Sequence, residues 1–395
     1  MEFLLQGHEI NLKGGNRGFF STRLRANLEV LLEGCEAQVG MRGLGLVVGC
    51  PDAQGVEVRA RLDYALGVQT LMAGQRTEPS IEAITPAALA MIASQTGASF
   101  GLNVLRPDKA LELGSYEVAA AVGQSIARDL GLEVNLRAPE RRCTIVLSRK
   151  GALVSRAPEA GPGGMPAATA GRMVGLLSSG FDSPVAAYRM IRRGARVVLL
   201  HFHGTPPAGR GSSLPPIEAL ARQLTRYQLH TRLYVCPFEP VQRAIVAAAP
   251  SPLRILLYRR MMLRIAAALA ERVGGHGIVT GDSLAQVASQ TVLNLEAVSA
   301  ALCGGAAPPV YRPLIGHDKI EIQAEARRIG TFDISTEMVD DCCSAFLPRS
   351  PALAATPAEL AAAEQELDTA ALVETSMATL QARRFRLAGG AVVAE

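Results

Sequence analysis

The sequence predicts an α/β fold whose C-terminal half is a doubly wound parallel sheet. Three observations carry that expectation. From residue 172 to 280, apolar runs of strand length alternate with helical patterns. One junction, Val174 to Val185, passes from an apolar run through a turn of small residues into a helix start. A Pro/Gly/Ala stretch at 157–170 separates this half from an N-terminal region with looser alternation.

In the first 74 residues, a helical apolar pattern covers 21–32 and an apolar run at 43–48 reads as a strand. Amphipathic helices follow at 81–94 and 116–130, with strands at 99–105 and 143–147, giving a second α/β unit over 75–155. Beyond the linker the elements read strand 172–178, helix 183–194, strand 196–202, helix 215–229, strand 231–236, helix 254–273 and strand 276–280. Ligands of such a sheet bind at the C-terminal ends of its strands. The tail from Pro357 to Leu367 and onward is Ala/Glu-rich and reads as helical. There is no internal repeat.

Composition narrows the class. With 395 residues and 49% hydrophobic side chains, two or three cored domains are expected. No apolar run is long enough to span a bilayer. The start has no basic segment ahead of an apolar one, so a cytoplasmic protein is expected. The seven cysteines are odd in number and contain no CxxC, which suggests neither a disulfide framework nor a common zinc site. Net charge is only +4, but residues 184–236 hold eight arginines against the single acid Glu218. Such a segment can meet nucleotide or RNA phosphates, or form a solvated helix face.

The junction at 174–185 carries the chemistry. In Ser178-Ser179-Gly180-Phe181-Asp182-Ser183, Ser183 is a candidate N-cap and Pro184 takes the first helical position. A strand, a small-residue loop and a helix N-terminus make an anion site, because free backbone N–H groups point at the ligand. No Gly-Lys-Ser/Thr closes the loop, so it is not a P-loop of the GTPase kind. It resembles the Ser-Gly-Gly-x-Asp-Ser loop of PP-loop ATP pyrophosphatases.

Further segments match in order: Gly163-Gly164-Met165-Pro166, Tyr258-Arg259-Arg260-Met261-Met262, Val279 to Thr291, Arg312 to Lys319, Arg328 to Asp333, and Asp341-Cys342-Cys343. With Glu9 to Arg17 at the start, they resemble the tRNA 4-thiouridine synthetase (tRNA sulfurtransferase, ThiI) family, in a form lacking a rhodanese domain. The resemblance implies an N-terminal ferredoxin-like domain at 1–74, a THUMP RNA-binding domain at 75–155, a linker at 156–170 and a PP-loop domain at 171–395. It implies ATP-dependent conversion of uridine 8 of tRNA to 4-thiouridine, with ATP and Mg²⁺ as cofactors. The implied partners are tRNA and a cysteine desulfurase as sulfur donor, the implied assembly is a homodimer, and no membrane is involved.

Residue by residue, the resemblance gives Ser178, Ser179, Gly180, Asp182 and Ser183 to pyrophosphate, with Asp182 catalytic and a Mg²⁺ ligand. Leu176, Leu177, His201 and Phe202 fall at adenosine positions, the leucines also reading as sheet core. Arg259, Gly281 and Gln290 fall at nucleotide positions, with Arg259 and the loop donors facing the developing charge. Arg260 serves phosphate or a structural carboxylate, and Lys319 phosphate or solvent. Cys342 is the implied catalytic cysteine, carrying persulfide sulfur, with Cys343 a second thiol in reach. Lys13, Asn16, Arg17, Arg106 and Lys109 are candidate RNA contacts or exposed charges. Ser179 replaces the family's first loop glycine; a left-handed backbone there would cost a serine roughly 1–2 kcal/mol. Two other classes stay open: another PP-loop adenylating enzyme, including one of thiamine sulfur transfer, and a tRNA-binding protein with a decayed site.

Overall fold

The computed structural model describes residues 1–42, 45–107, 110–204, 214–303, 307–336 and 350–395. It divides into two compact units, Met1–Pro166 and Ala167–Glu395. Among the described residues no helix is long and apolar enough to cross a membrane.

The first unit contains β1 (Glu2–Gln6), α1 (His8–Asn11), α2 (Arg17–Leu31), β2 (Gln38–Arg42), β3 (Gly45–Gly49), α3 (Gly55–Leu62) and β4 (Thr70–Thr77). It continues through α4 (Ile81–Ala93), β5 (Ser99–Leu105), α5 (Ser115–Leu130), β6 (Glu133–Val134), β7 (Arg141–Ser148), β8 (Gly151–Ser155) and β9 (Glu159–Ala160). The strands form one sheet in the order β2-β3-β1-β4-β8-β7-β5-β6, with β9 also on β4. The boundary expected at 74/75 therefore falls inside β4, which pairs with β1 on one side and β8 on the other. Leu4, Val47, Met72, Val146 and Leu153 form one buried cluster across that boundary. The expected linker also begins differently. Residues 159–164 dock on β4 and the turn before it, through Gly163 N–H to the Val68 carbonyl (2.8 Å) and Gln69 Nε2 to the Gly164 carbonyl (2.9 Å). Gly163 and Gly164 take φ of 70° and 74°, a left-handed path that favours glycine.

The second unit runs β10 (Arg172–Leu176), α6 (Asp182–Arg192), β11 (Arg196–His203), α7 (Leu214–Gln228), β12 (His230–Pro237), α8 (Glu239–Ala248), α9 (Arg254–Val273) and β13 (Ile278–Val279). Then come α10 (Val292–Ser299), β14 (Val310–Tyr311), α11 (Lys319–Arg328), α12 (Phe332–Thr336), α13 (Pro357–Ala363), α14 (Thr369–Ala378), β15 (Gln381–Ala388) and β16 (Ala391–Ala394). Five strands are parallel in the order β14-β13-β10-β11-β12, as the alternation predicts. Val198 and Leu200 enter the large cluster built with α8 and α9. Gly175 faces Val197, Leu199 and Ala187 of α6. Both faces of the sheet are thus buried, which is why its strands read as unbroken apolar runs.

The end of the tail departs from the helical expectation. β15 pairs antiparallel with β12, and β16 with β15. Phe385 and Leu387 are buried between exposed or half-buried neighbours, a period of two, and Gly389-Gly390 turns the hairpin at φ of 55° and 82°.

α9 is fastened to the end of α13 by a buried charge cluster. Arg260 meets Glu364 through Nε (2.9 Å) and Nη2 (2.8 Å), and Arg264 grips the same carboxylate at 2.6 and 2.8 Å. Of the two roles open to Arg260, the structure takes the structural carboxylate. Burial would raise the Glu364 carboxyl, but the two arginines outweigh it and hold it below the usual carboxylate range. Replacing Glu364 by alanine leaves two partly or wholly buried cations unpaired and is expected to cost about 3–5 kcal/mol in denaturant unfolding. A loss under 1 kcal/mol would contradict this role.

Candidate active site

The site lies where the parallel strands end. The backbone of β10 stops at Leu176, and Leu177 N–H still bonds the Leu200 carbonyl of β11 (2.8 Å) before the chain turns into the loop. Ser183 is not the N-cap. The helix begins one residue earlier, at Asp182, and the Ser183 hydroxyl folds back to close the loop. It accepts from Ser178 N–H (2.8 Å), lies 3.1 Å from the Ser178 hydroxyl, and reaches the Ser178 carbonyl at 3.2 Å. A side chain committed to the loop cannot cap the helix. The amides of Gly180 and Phe181 take no acceptor among the described residues, the condition for an anion site at a helix start. Ser179 is buried and outside the left-handed region, so the serine carries no backbone strain.

A cavity of about 580 Å³ opens in front of this loop, within the usual range for small-molecule sites. Ten expected residues line it: Leu176, Leu177, Ser178, Asp182, Ser183, His201, Phe202, Arg259, Gly281 and Gln290. Ser179 and Gly180 stand in the loop behind the lining. Gly281 is required sterically, since a Cβ there would come within 2.8 Å of Ser183 N and 2.9 Å of Ser183 Cα. The strand that follows α9 thereby lies against the start of α6. Gln290 Oε1 is buried and has no hydrogen-bond donor among the described residues.

Charge is arranged in two tiers. Deep in the wall, Asp282 is only 4% exposed and bridges Arg259, Arg312 (3.0 Å) and the Thr280 hydroxyl (2.8 Å). Burial alone would raise its carboxyl; Arg259, the Thr280 hydroxyl and Arg312 together hold it below the usual range. Arg259 also donates to the Ser289 carbonyl and hydroxyl, both at 3.0 Å. At the mouth, Asp182 is approached by Lys319 Nζ at 3.3 and 3.5 Å and by Gln286 Nε2 at 3.1 Å. Asp282, Arg312 and Gln286 were missed as site residues. The available signal was a lone Asp in Val279-Thr280-Gly281-Asp282, a stretch otherwise too apolar to hold a charge without cationic partners.

Other expected residues lie elsewhere. Lys13 and Asn16 are exposed on the first unit, with Lys13 Nζ 5.5 Å from the Phe20 ring centre. Arg17 is half-buried at the start of α2. Arg106 donates to the Leu111 carbonyl at 3.0 Å. Lys109, Cys342 and Cys343 lie outside the described residues.

Comparison with known proteins agrees with this geometry. The family model "Thiamine biosynthesis protein (ThiI)" matches residues 168–369. A "Probable tRNA sulfurtransferase" of Thermus thermophilus is 42% identical over 371 residues, 94% of this chain and 90% of that protein. The chain belongs to the ThiI family. A second such relative, from Nocardia farcinica, is 39% identical over 93% of this chain and 90% of its own length. A crystal structure of a 4-thiouridine synthetase–RNA complex with bound ATP superimposes with a TM-score of 0.87 at 28% identity. It covers 97% of this chain and 99% of that one. The ThiI family match spans the loop, the Gly281–Gln290 stretch and α9.

His201 sits at the wall of this ThiI-family cavity. Its Nδ1 lies 2.9 Å from the Leu177 carbonyl, an acceptor, so that nitrogen carries the proton. Burial pushes its pKa down to about 4 from the usual 6.5. The unfolded chain then binds the proton more readily than the folded one between these values, and stability falls as pH drops from 6.5 toward 4. The contribution is up to roughly 3 kcal/mol. Denaturant unfolding of His201→Gln should show a flatter pH dependence across that window than wild type; an unchanged slope would refute a buried neutral His201.

Proposed function

We propose that this chain is an ATP-dependent tRNA sulfurtransferase that converts uridine 8 of tRNA to 4-thiouridine. The observation that carries the reading is the division of one cavity into two chemistries. Leu176, Phe202, Met262, Leu263 and Val298 form an apolar end suited to a purine ring. Ser178, Ser183, Gly281 and Asp182 form a polar end beside the open loop amides. Gln290 Oε1, buried without a donor among the described residues, suits an exocyclic amine such as adenine carries.

Asp182 is the lining carboxylate not clamped between arginines, and it would hold Mg²⁺ together with phosphate oxygens, the usual arrangement for this ion. Bound there, Mg²⁺ would neutralise phosphate charge. In the first step uracil O4 bonds the α-phosphorus, the α–β phosphoanhydride bond breaks, and pyrophosphate leaves with the electron pair. Because Arg259 is committed to Asp282 and Ser289, the loop amides and Lys319 stabilise the developing charge while Arg259 shapes the wall. In the second step the terminal sulfur of a Cys342 persulfide, supplied by a cysteine desulfurase, bonds C4 and AMP leaves. A second thiol then breaks the S–S bond, leaving sulfur on C4 and a disulfide that a thiol reductant restores. RNA would be gripped by the first unit, where exposed Lys13 and Asn16 and half-buried Arg17 offer donors.

Mass spectrometry of nucleosides tests the reaction on unmodified tRNA incubated with the protein, Mg-ATP, cysteine and a cysteine desulfurase. Wild type should yield 4-thiouridine only with ATP, with one AMP and one pyrophosphate per thiolation. Asp182→Asn should lower the yield by roughly 100-fold or more. Cys342→Ser should still release pyrophosphate but form no product. Equal thiolation by Cys342→Ser and wild type would remove that thiol from the reaction. Product formed without ATP would overturn the reading.

A further inference from the structure

The opposite edge of the second unit's sheet, where the parallel strands begin, holds a second cavity of about 310 Å³. Its lining is cationic: Arg172 opens β10, Arg196 opens β11, and Arg232 and Arg384 lie on β12 and β15. Arg172 and Arg196 are direct neighbours in the parallel register. Arg232 and Arg384 are direct partners across the antiparallel pair. Like charges placed opposite each other in a sheet destabilise it. Neither Arg232 nor Arg384 has an ion-pair partner among the described residues, and both are exposed. The one lining carboxylate side chain, Glu395, lies 3.2 Å from Arg386. Arg172 is held in place by the Val273 carbonyl at the C-terminal end of α9.

We propose that this cavity is a phosphate-binding site, separate from the nucleotide cavity, in which one phosphate group bridges Arg232 and Arg384 and is backed by Arg196. Guanidinium forks match phosphate oxygens two at a time, and a bound dianion converts a repulsive cross-strand pair into a bridged one. His230, which opens β12 in the same lining, is lowered by burial and by the charges of Arg196 and Arg386 against the opposing pull of Glu395. Its imidazole adds a hydrogen-bonding group to the lining. The same chemistry accepts free inorganic phosphate or a phosphate of an RNA backbone. The proposal is independent of the thiolation reaction.

The test uses the full chain and Arg232→Gln, Arg384→Gln and the double variant. Thermal unfolding is followed in potassium phosphate and in potassium chloride at matched ionic strength. Wild type should gain on the order of 5 °C in phosphate at concentrations far above its Kd, and the double variant should lose most of that gain. In dilute chloride each single variant should match or exceed wild-type Tm, because a repulsion has been removed. The variants should bind Mg-ATP as wild type does. Binding of unmodified tRNA across a salt series then distinguishes the sources. A backbone phosphate at this site makes the double variant bind more weakly, with a shallower dependence on salt. A free anion leaves tRNA binding unchanged. Equal phosphate-specific shifts in wild type and double variant, or no difference between phosphate and chloride in wild type, would overturn the proposal.

Discussion

The candidate site depends on the absence of a side chain at residue 281. The segment leaving β13 lies so close to the first residues of α6 that a single Cβ would strike Ser183 N and Cα. Without that approach, the loop after β10 and the wall bearing Asp282 and Gln290 would separate and the cavity would open into a groove. The next residue makes the approach rigid. Asp282 is buried among Thr280, Arg259 and Arg312, and so ties α9, the end of β13 and the segment after β14 to one point. A buried carboxylate stripped of one such partner becomes strongly destabilising, which fixes the wall geometry more firmly than apolar packing alone.

The arginines divide their labour accordingly. Several in the arginine-rich region are structural: Arg189 pairs with Glu325 at 2.7 Å, and Arg222 donates to the Val392 carbonyl at 3.1 Å and lies over the Phe385 ring. Arg259 and Arg260 belong to buried carboxylates. The cation at the mouth of the cavity is instead a lysine, Lys319, 44% exposed and held only loosely against Asp182. An ammonium on a flexible stem can leave its carboxylate for a phosphate at small cost, whereas the clamped guanidiniums cannot. Phe181, in the loop after β10, stacks on Phe332 at 4.9 Å, so the helix preceding the cysteine segment bears directly on that loop.

Much of this was legible in the sequence, for reasons that differ by element. The second unit's strands could be read because burial on both faces leaves unbroken apolar runs, and α9 because its pattern is long and capped by Gly274. The first sheet was harder. β1 is five residues long, β4 mixes buried Leu71 and Met72 with exposed Gln75 and Arg76, and its double pairing erased a boundary that local patterns implied. The β15–β16 hairpin was hidden by an Ala/Glu-rich stretch, although Gly389-Gly390 after an alternating run was the signal. At the site, the loop and the cavity residues followed from ordered motifs. The direction of the Ser183 hydroxyl did not, because it depends on how the loop folds back on Ser178, nor did the commitment of Arg259 and the partners of Asp282, because they depend on which charges the fold brings together across 23 to 30 residues. The serine at 179 looked like a defect only while a left-handed backbone remained open there.

The most direct measurement is the affinity for Mg-ATP by titration calorimetry, with wild type, Gly281→Ala and Gly316→Ala side by side. At Gly316 an added Cβ meets nothing within 4 Å, so it controls for glycine replacement as such. Wild type and Gly316→Ala should bind, and Gly281→Ala should lose at least tenfold in affinity with the protein still folded by circular dichroism. A folded Gly281→Ala variant that binds Mg-ATP as tightly as wild type would contradict the claim that this close approach builds the nucleotide site.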